Sequence, residues 1–182
     1  MSVLVAFSTA HNTTTSIANR IASRLTSTLP PSISVTTKPI TSIPTNDPAA
    51  LSPYNYIIVG SAIHMTYWLL PARKFLSAHH TTLASKPVWA FSVGVPGTEA
   101  YEAREIKVIE KDIRKSVPEL KGHVLFKGKS EVNQLAWPVA LFFKWFPSKG
   151  KFGDFVEWDK IDEWADGVGE EIKKGAEVKN GE

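Results

Sequence analysis

The sequence predicts an α/β protein, a three-layer sandwich in which helices cover both faces of a parallel sheet. Two observations lead there. Short runs of strand length that are apolar at nearly every position alternate with segments whose apolar residues recur every three or four places. Strands separated by helices imply right-handed crossovers, and strands buried on both faces account for runs that do not alternate with polar residues. At 182 residues, 43% hydrophobic and 21% charged, the chain suits one such domain.

The run Val3 to Phe7 is the first strand. Ile17, Ile21 and Leu25, spaced by four, give the helix after it, and Ile33 to Val35 the second strand. From Lys38 to Pro53 the chain carries four prolines and little periodicity, which predicts a loop with one short helix around Asp47 to Leu51. Tyr56 to Gly60 is the third strand, and Leu69, Ala72, Phe75 and Leu76 mark a helix behind it. Val88 to Val93 is the fourth strand, Ile106, Ile109 and Ile113 the next helix, and Val124 to Phe126 the fifth strand. Ile161, Trp164, Ala165, Val168 and Ile172 form the stripe of a last helix. The domain is expected to span 1–174, and the polar residues 175–182, with two glycines, to form a flexible tail.

Several functions are excluded on composition. There is no cysteine, hence no disulfide, thiolate nucleophile or cysteine zinc site. The start lacks the basic-then-apolar order of a signal peptide and no apolar stretch reaches the roughly 20 residues of a membrane span, so a cytoplasmic protein is expected, at most touching a membrane from one side. A net charge of +3 scattered among acids offers no stripe for nucleic acid. His64, His79, His80 and His123 follow no metal-ligand spacing, so no metal is expected, and Gly-x-Ser-x-Gly is missing.

In an open α/β sheet a ligand binds beyond the carboxyl ends of the strands, which singles out three loops. Ser8-Thr9-Ala10-His11-Asn12-Thr13-Thr14 runs from the first strand into a helix. Its hydroxyls, its N–H groups and the positive end of the helix suit a phosphate monoester without any lysine, while neither a Walker loop nor Gly-x-Gly-x-x-Gly is present. Equally, these residues are ordinary helix caps. The second loop, Gly60 to Trp68, begins with the small residues Ser61 and Ala62, which let backbone approach a flat ligand, and continues through Ile63 and His64. Tyr67 or Trp68 would then cover one face of an aromatic ring, or start a helix and pack into the core. The third, Ser92-Val93-Gly94-Val95-Pro96-Gly97-Thr98, has two glycines for tight turns whose amides would meet the polar edge of a ring system. One loop for a phosphate and two for a flat ring match the needs of FMN.

On these residues the chain resembles the flavodoxin superfamily, whose phosphate loop has the form Thr/Ser-x-Thr-Gly-x-Thr. The nearer likeness is to flavodoxin-like, menaquinone-dependent protoporphyrinogen dehydrogenases, carried by Phe7-Ser8-Thr9, Gly60-Ser61-Ala62-Ile63, Phe91-Ser92-Val93, and Glu157-Trp158 with Ile161. The resemblance implies a flavodoxin-like sandwich with a five-stranded parallel sheet and an insertion in the fifth strand. It further implies that Ser8, Thr9, His11, Asn12, Thr13 and Thr14 contact the phosphate, Ala62 to Tyr67 one side of the ring and Ser92 to Gly97 the other. Asn12 stands where the family has glycine, and asparagine is the non-glycine type that best tolerates a left-handed backbone.

The insertion, 128–154, contains Leu135 to Pro147, apolar at nearly every position. Pro138 would begin a helix and Pro147 end it, about three turns at most. Such a segment is expected to be buried against the domain or a dimer partner, to form a lid over an apolar substrate pocket, or to make a peripheral membrane contact with Lys149 and Lys151 towards the headgroups.

The expected function is an FMN-dependent oxidoreductase acting on a flat apolar organic substrate or quinone, with His64 and Tyr67 as candidate proton donors or positioning groups, or as groups that simply pack on the ring. The alternatives are an electron-transfer flavodoxin serving a protein partner and a flavin-free binding module of the same fold. The resemblance to the carriers also implies a strongly acidic surface around the flavin, which this basic chain lacks.

Overall fold

The computed structural model describes residues 1–130 and 153–180. Leu135 to Pro147, and with it the expected lid, dimer or membrane contact, lies outside the described residues. Among them, no helix is long and apolar enough to cross a membrane.

Five parallel strands form the sheet: β1 (Ser2–Ser8), β2 (Ser34–Pro39), β3 (Tyr56–His64), β5 (Val88–Gly94) and β6 (Gly122–Lys127), in the order β2-β1-β3-β5-β6. The two-residue β4 (Tyr67–Trp68) folds back antiparallel on the end of β3, pairing Ile63 with Trp68 and His64 with Tyr67. Helices α1 (Thr13–Thr28) and α5 (Trp158–Asn180) cover one face; α2 (Leu70–Ala78), α3 (His80–Ala84) and α4 (Glu99–Arg114) cover the other. The flavodoxin-like sandwich expected from the sequence is therefore the observed fold.

Strand alternation divides the core cleanly. Val3, Val5, Phe7, Ile58 and Phe91 face α1 and α5, while Leu4, Ala6, Ile57, Val59 and Ala90 face the other helices. α1 and α5 are also held together at their outer edge by two forked ion pairs, Arg20 with Asp162 and Arg24 with Asp166. The short helix expected near Asp47 is a single turn, Pro48–Leu51, whose first free amide, Ala49 N–H, is accepted by the Asp47 carboxylate at 2.9 Å.

Four details differ from the sequence expectation. The second strand begins at Ser34 and runs to Pro39, an edge strand whose partly exposed polar residues hide it from an apolar count. The loop expected from Gly60 to Trp68 is mostly strand and hairpin. The buried stripe of α4 is Glu105, Ile109 and Ile113, with Glu105 where an apolar residue was expected. α5 continues to Asn180 through most of the expected flexible tail, because Ala176 extends the Val168–Ile172 stripe into the core. The insertion leaves at the end of β6 through a stem of two antiparallel two-residue strands, β7 (Lys129–Ser130) and β8 (Gly153–Asp154).

Candidate flavin site

Successive crossovers reverse direction between β1 and β3, and a cleft opens there at the carboxyl edge of the sheet. Its volume is about 140 Å³. It is lined by Thr9, His11, Thr13 and Thr14 from the first loop, by Ala62, Ile63 and His64 from the end of β3, by Leu69 after the hairpin, and by Val93 to Val95 and Gly128 from the far side. All three loops singled out in the sequence contribute.

The first loop is shaped for an anion. Asn12 adopts φ 62°, the left-handed conformation that its place in the motif predicts. Among the described residues no side chain caps α1, and no acid lies in its first turn; Thr13 N–H donates to His11 O at 2.9 Å, which leaves the N–H groups after it and the positive helix end available. The ordinary-cap reading of these residues therefore does not describe them. Thr9 supplies a second mark: its Oγ1 is buried and has no hydrogen-bond partner among the described residues, an unpaired polar atom in the cleft lining. By contrast, α4 has a side-chain cap, Thr98 Oγ1 accepting from Tyr101 N–H at 3.3 Å, and Glu102 Oε1 accepts from Gly97 N–H just before it at 3.0 Å.

Ser8, Ser61 and Ser92 stand at one register across β1, β3 and β5, and all three are buried. The Ser61 hydroxyl donates to Ala62 O at 2.8 Å and accepts Leu69 N–H at 3.1 Å. The Ser92 hydroxyl accepts the indole N–H of Trp68 at 2.7 Å and shares a hydrogen bond of 2.8 Å with Nε2 of His123. The side chains of Ser61 and Ser92, expected to meet a cofactor, instead clasp the β3–β4 hairpin from beneath. The alternation of the strand turns them inward at the very edge where their sequence position is right. The His123 side chain is wholly buried, and burial, only partly offset by Glu110, pushes its pKa down to about 4; its Nδ1 has no hydrogen-bond partner among the described residues and lies 4.0 Å from Glu110.

The two candidate proton donors are separated. His64 lines the first cleft and is exposed. Tyr67 lines a second cleft of about 420 Å³ with Met65, Thr66, Tyr101, Arg104, Glu105 and Val108, and the Arg73 guanidinium lies 5.7 Å from its ring centre. Trp68 is buried, on β4 and not in a helix. Gly97 is absent from the first cleft; it permits the Tyr101 ring to lie against it, since a Cβ there would sit 2.9 Å from Tyr101 Cδ1. Sequence reasoning missed Leu69, Gly128, Tyr101, Arg104 and Glu105. Glu105 had a signal, as a carboxylate spaced by four from Ile109 and by eight from Ile113. Gly128 also had one, marking the start of the insertion, where its N–H donates to Gly94 O at 2.7 Å and a Cβ would press on Val93.

The model of the flavodoxin domain matches residues 4–144. The chain belongs to the flavodoxin domain family. Among solved structures it is similar to a flavodoxin from the domain Archaea, at 16% identity and a TM-score of 0.56, covering 95% of this chain and 99% of that one. It is also similar to the rubredoxin oxygen:oxidoreductase of Desulfovibrio gigas, at 13% identity and a TM-score of 0.61, covering 95% of this chain but 36% of that one. A WrbA-like flavodoxin from Agrobacterium tumefaciens aligns over 90% of this chain and 96% of its own, at 12% identity and a TM-score of 0.51. A search of curated protein sequences returns no significant match.

Family membership implies FMN, and the first loop of this flavodoxin domain fits its phosphate. The unpaired Thr9 hydroxyl, the uncapped start of α1 and the absence of acid from the first turn are what a phosphate dianion requires of its surroundings.

Proposed function

We propose that this flavodoxin domain is an FMN-dependent oxidoreductase acting on a flat apolar organic substrate or quinone, in the manner of the flavodoxin-like protoporphyrinogen dehydrogenases it resembles. Thr9, His11, Thr13, Thr14 and the amides around left-handed Asn12 would hold the phosphate. Ala62, Ile63, Val93 and Gly94 would form the apolar floor beneath the ring. Bound FMN supplies hydride or single-electron chemistry; the protein orients the substrate and excludes water from it.

The charge of the cleft walls carries the enzyme reading over the carrier. Among the described residues, Glu105 is the one carboxylate lining either cleft and it is buried, while Lys129, Arg104 and two histidines make up the rest of the ionising set apart from the tyrosines. Such a rim is poorly suited to docking through negative charge and well suited to an uncharged or anionic small molecule. The carrier reading draws on the fold alone, which is shared with flavodoxins.

The test is direct. Purified protein is expected to be yellow, to bleach under dithionite, and to retain FMN in preference to riboflavin. The photoreduced holoprotein is expected to reduce a soluble naphthoquinone with multiple turnovers. Colourless protein that takes up no added FMN would overturn both readings; FMN binding without quinone turnover would favour the carrier.

A further inference from the structure

The second cleft contains a buried acid that the flavin-binding loops do not use. Glu105 is 5% exposed, on the inward stripe of α4, and its Oε1 accepts the Tyr101 hydroxyl at 3.3 Å. It lies behind the floor of the first cleft, with Oε2 3.6 Å from the point where a Cβ on Gly94 would stand. No cation pairs with it among the described residues. Two aromatic side chains, Tyr67 and Tyr101, both about half exposed, line the opening with Met65 and Val108, and Arg104 at the rim has no ion pair among the described residues.

The hairpin tip above the cleft is strained. Met65 and Thr66 have φ of 50° and 68°, values that glycine or asparagine would adopt at less cost and that a β-branched threonine rarely takes. Strain of this kind is held where side chains are needed in place, and both residues line the cleft.

We propose that the cleft between the hairpin and α4 receives the carbonyl end of a flat conjugated substrate, and that Glu105 is the catalytic acid that protonates its oxygen. This rests on the FMN-oxidoreductase reading and adds the residue that closes its proton balance. Reduction of a quinone to a hydroquinone takes a hydride, supplied by reduced FMN, and a proton. The O–H bond of Glu105 breaks as the new O–H bond forms on the substrate oxygen, and the carboxylate is reprotonated by water through the open cleft. Arg104 steadies the charge that develops on that oxygen.

Burial pushes the Glu105 carboxyl up from the ordinary range; the Tyr101 hydrogen bond opposes that and the neighbouring Glu102 reinforces it. The titratable or charged groups facing it are Tyr101, Glu102 and Arg104 on α4 and Tyr67 on the hairpin. A carboxyl whose pKa is raised by burial holds its proton more firmly than an exposed one, the direction a general acid needs.

The experiment uses oxidised and photoreduced FMN-loaded protein with 2-methyl-1,4-naphthoquinone as the probe. In Glu105→Gln, which keeps an acceptor for Tyr101, probe reduction is expected to fall about 100-fold with FMN affinity unchanged, and the fall in rate at high pH expected of the wild type should vanish. Tyr101→Phe removes a bond that lowers the Glu105 pKa, so its active range should extend to higher pH. Independently of turnover, the Glu105 side-chain carbon of the oxidised holoprotein, followed by NMR, should titrate above the other glutamates and shift on addition of the probe. A rate and pH profile unchanged in Glu105→Gln, or a Glu105 signal indifferent to the probe, overturns this inference while leaving the FMN reading intact. Wild-type protein that binds no FMN overturns both.

Discussion

The indole N–H of Trp68 donates to the hydroxyl of Ser92 at 2.7 Å, fastening the tip-side strand of the hairpin to the centre of the sheet. The same hydroxyl hydrogen-bonds with His123, so one small side chain joins β4, β5 and β6 in the interior. A shared buried group of this kind is costly to remove, because each partner is left with an unmet polar atom.

Ser92→Ala is therefore expected to lower stability by about 1–3 kcal/mol in urea unfolding. The loss should be local as well. The Leu69 amide, held by Ser61 Oγ and Ala62 O, and the Trp68 indole N–H should both exchange with solvent faster than in the wild type, because they secure the same hairpin. Unchanged exchange at both would show that the hairpin does not depend on this bond.

His123 gives the fold a pH dependence of definite sign. Its pKa is about 4 in the folded chain against 6.5 when unperturbed, so below pH 6.5 the unfolded chain binds the proton first. The stability contributed by neutral His123 is complete above about pH 6.5 and is lost as pH falls towards 4, by roughly 3 kcal/mol over that window. Urea midpoints measured from pH 7 to pH 4 for wild type and His123→Gln should differ by a component that shrinks in this interval. Parallel pH profiles would remove the assignment.

Gly60 lies beside Phe91 in the β3–β5 register, and a Cβ at Gly60 would come within 2.0 Å of the Phe91 ring. That ring is fully buried among Phe126 and Trp164 and has nowhere to go. Gly60→Ala is expected to destabilise the fold by about 1–3 kcal/mol through overpacking. Combining it with Phe91→Leu should cost less than the sum of the two single changes, since each relieves the other.

The parts of this fold that could be read from the sequence are those where burial is two-sided. Val3 to Phe7 and Val88 to Val93 announce themselves because every residue is buried, whereas β2, at the sheet edge, presents Thr36, Thr37 and Lys38, so that only its start, through Val35, reads as strand. The hairpin was illegible for a different reason. Met65-Thr66 lacks the asparagine or glycine that usually marks so tight a turn, and the strain it bears only shows in the backbone angles. At the site, Asn12 was placed by motif register and its left-handed φ follows from that register. Ser61 and Ser92 were placed at the right edge but on the wrong side of the strand, because a residue's distance along a strand says where it ends and not which way its last side chains turn. Glu105 was hidden by its own polarity, since a count of apolar spacing passes over a carboxylate even when it occupies a core position.

Thr9 offers the sharpest test of the phosphate loop, because its buried hydroxyl has no partner among the described residues. Replacing it with valine keeps the shape and removes an unpaired polar atom, so Thr9→Val is expected to leave the stability of flavin-free protein unchanged or slightly raised. If the hydroxyl is there for phosphate, the same change should weaken FMN by roughly tenfold, the loss of one hydrogen bond to a charged group. Riboflavin, which lacks the phosphate, should bind both proteins equally. Calorimetric titration with the two flavins separates these outcomes: equal weakening of both would move Thr9 from the phosphate to the ring, and no weakening of either would leave its buried hydroxyl without a role in binding.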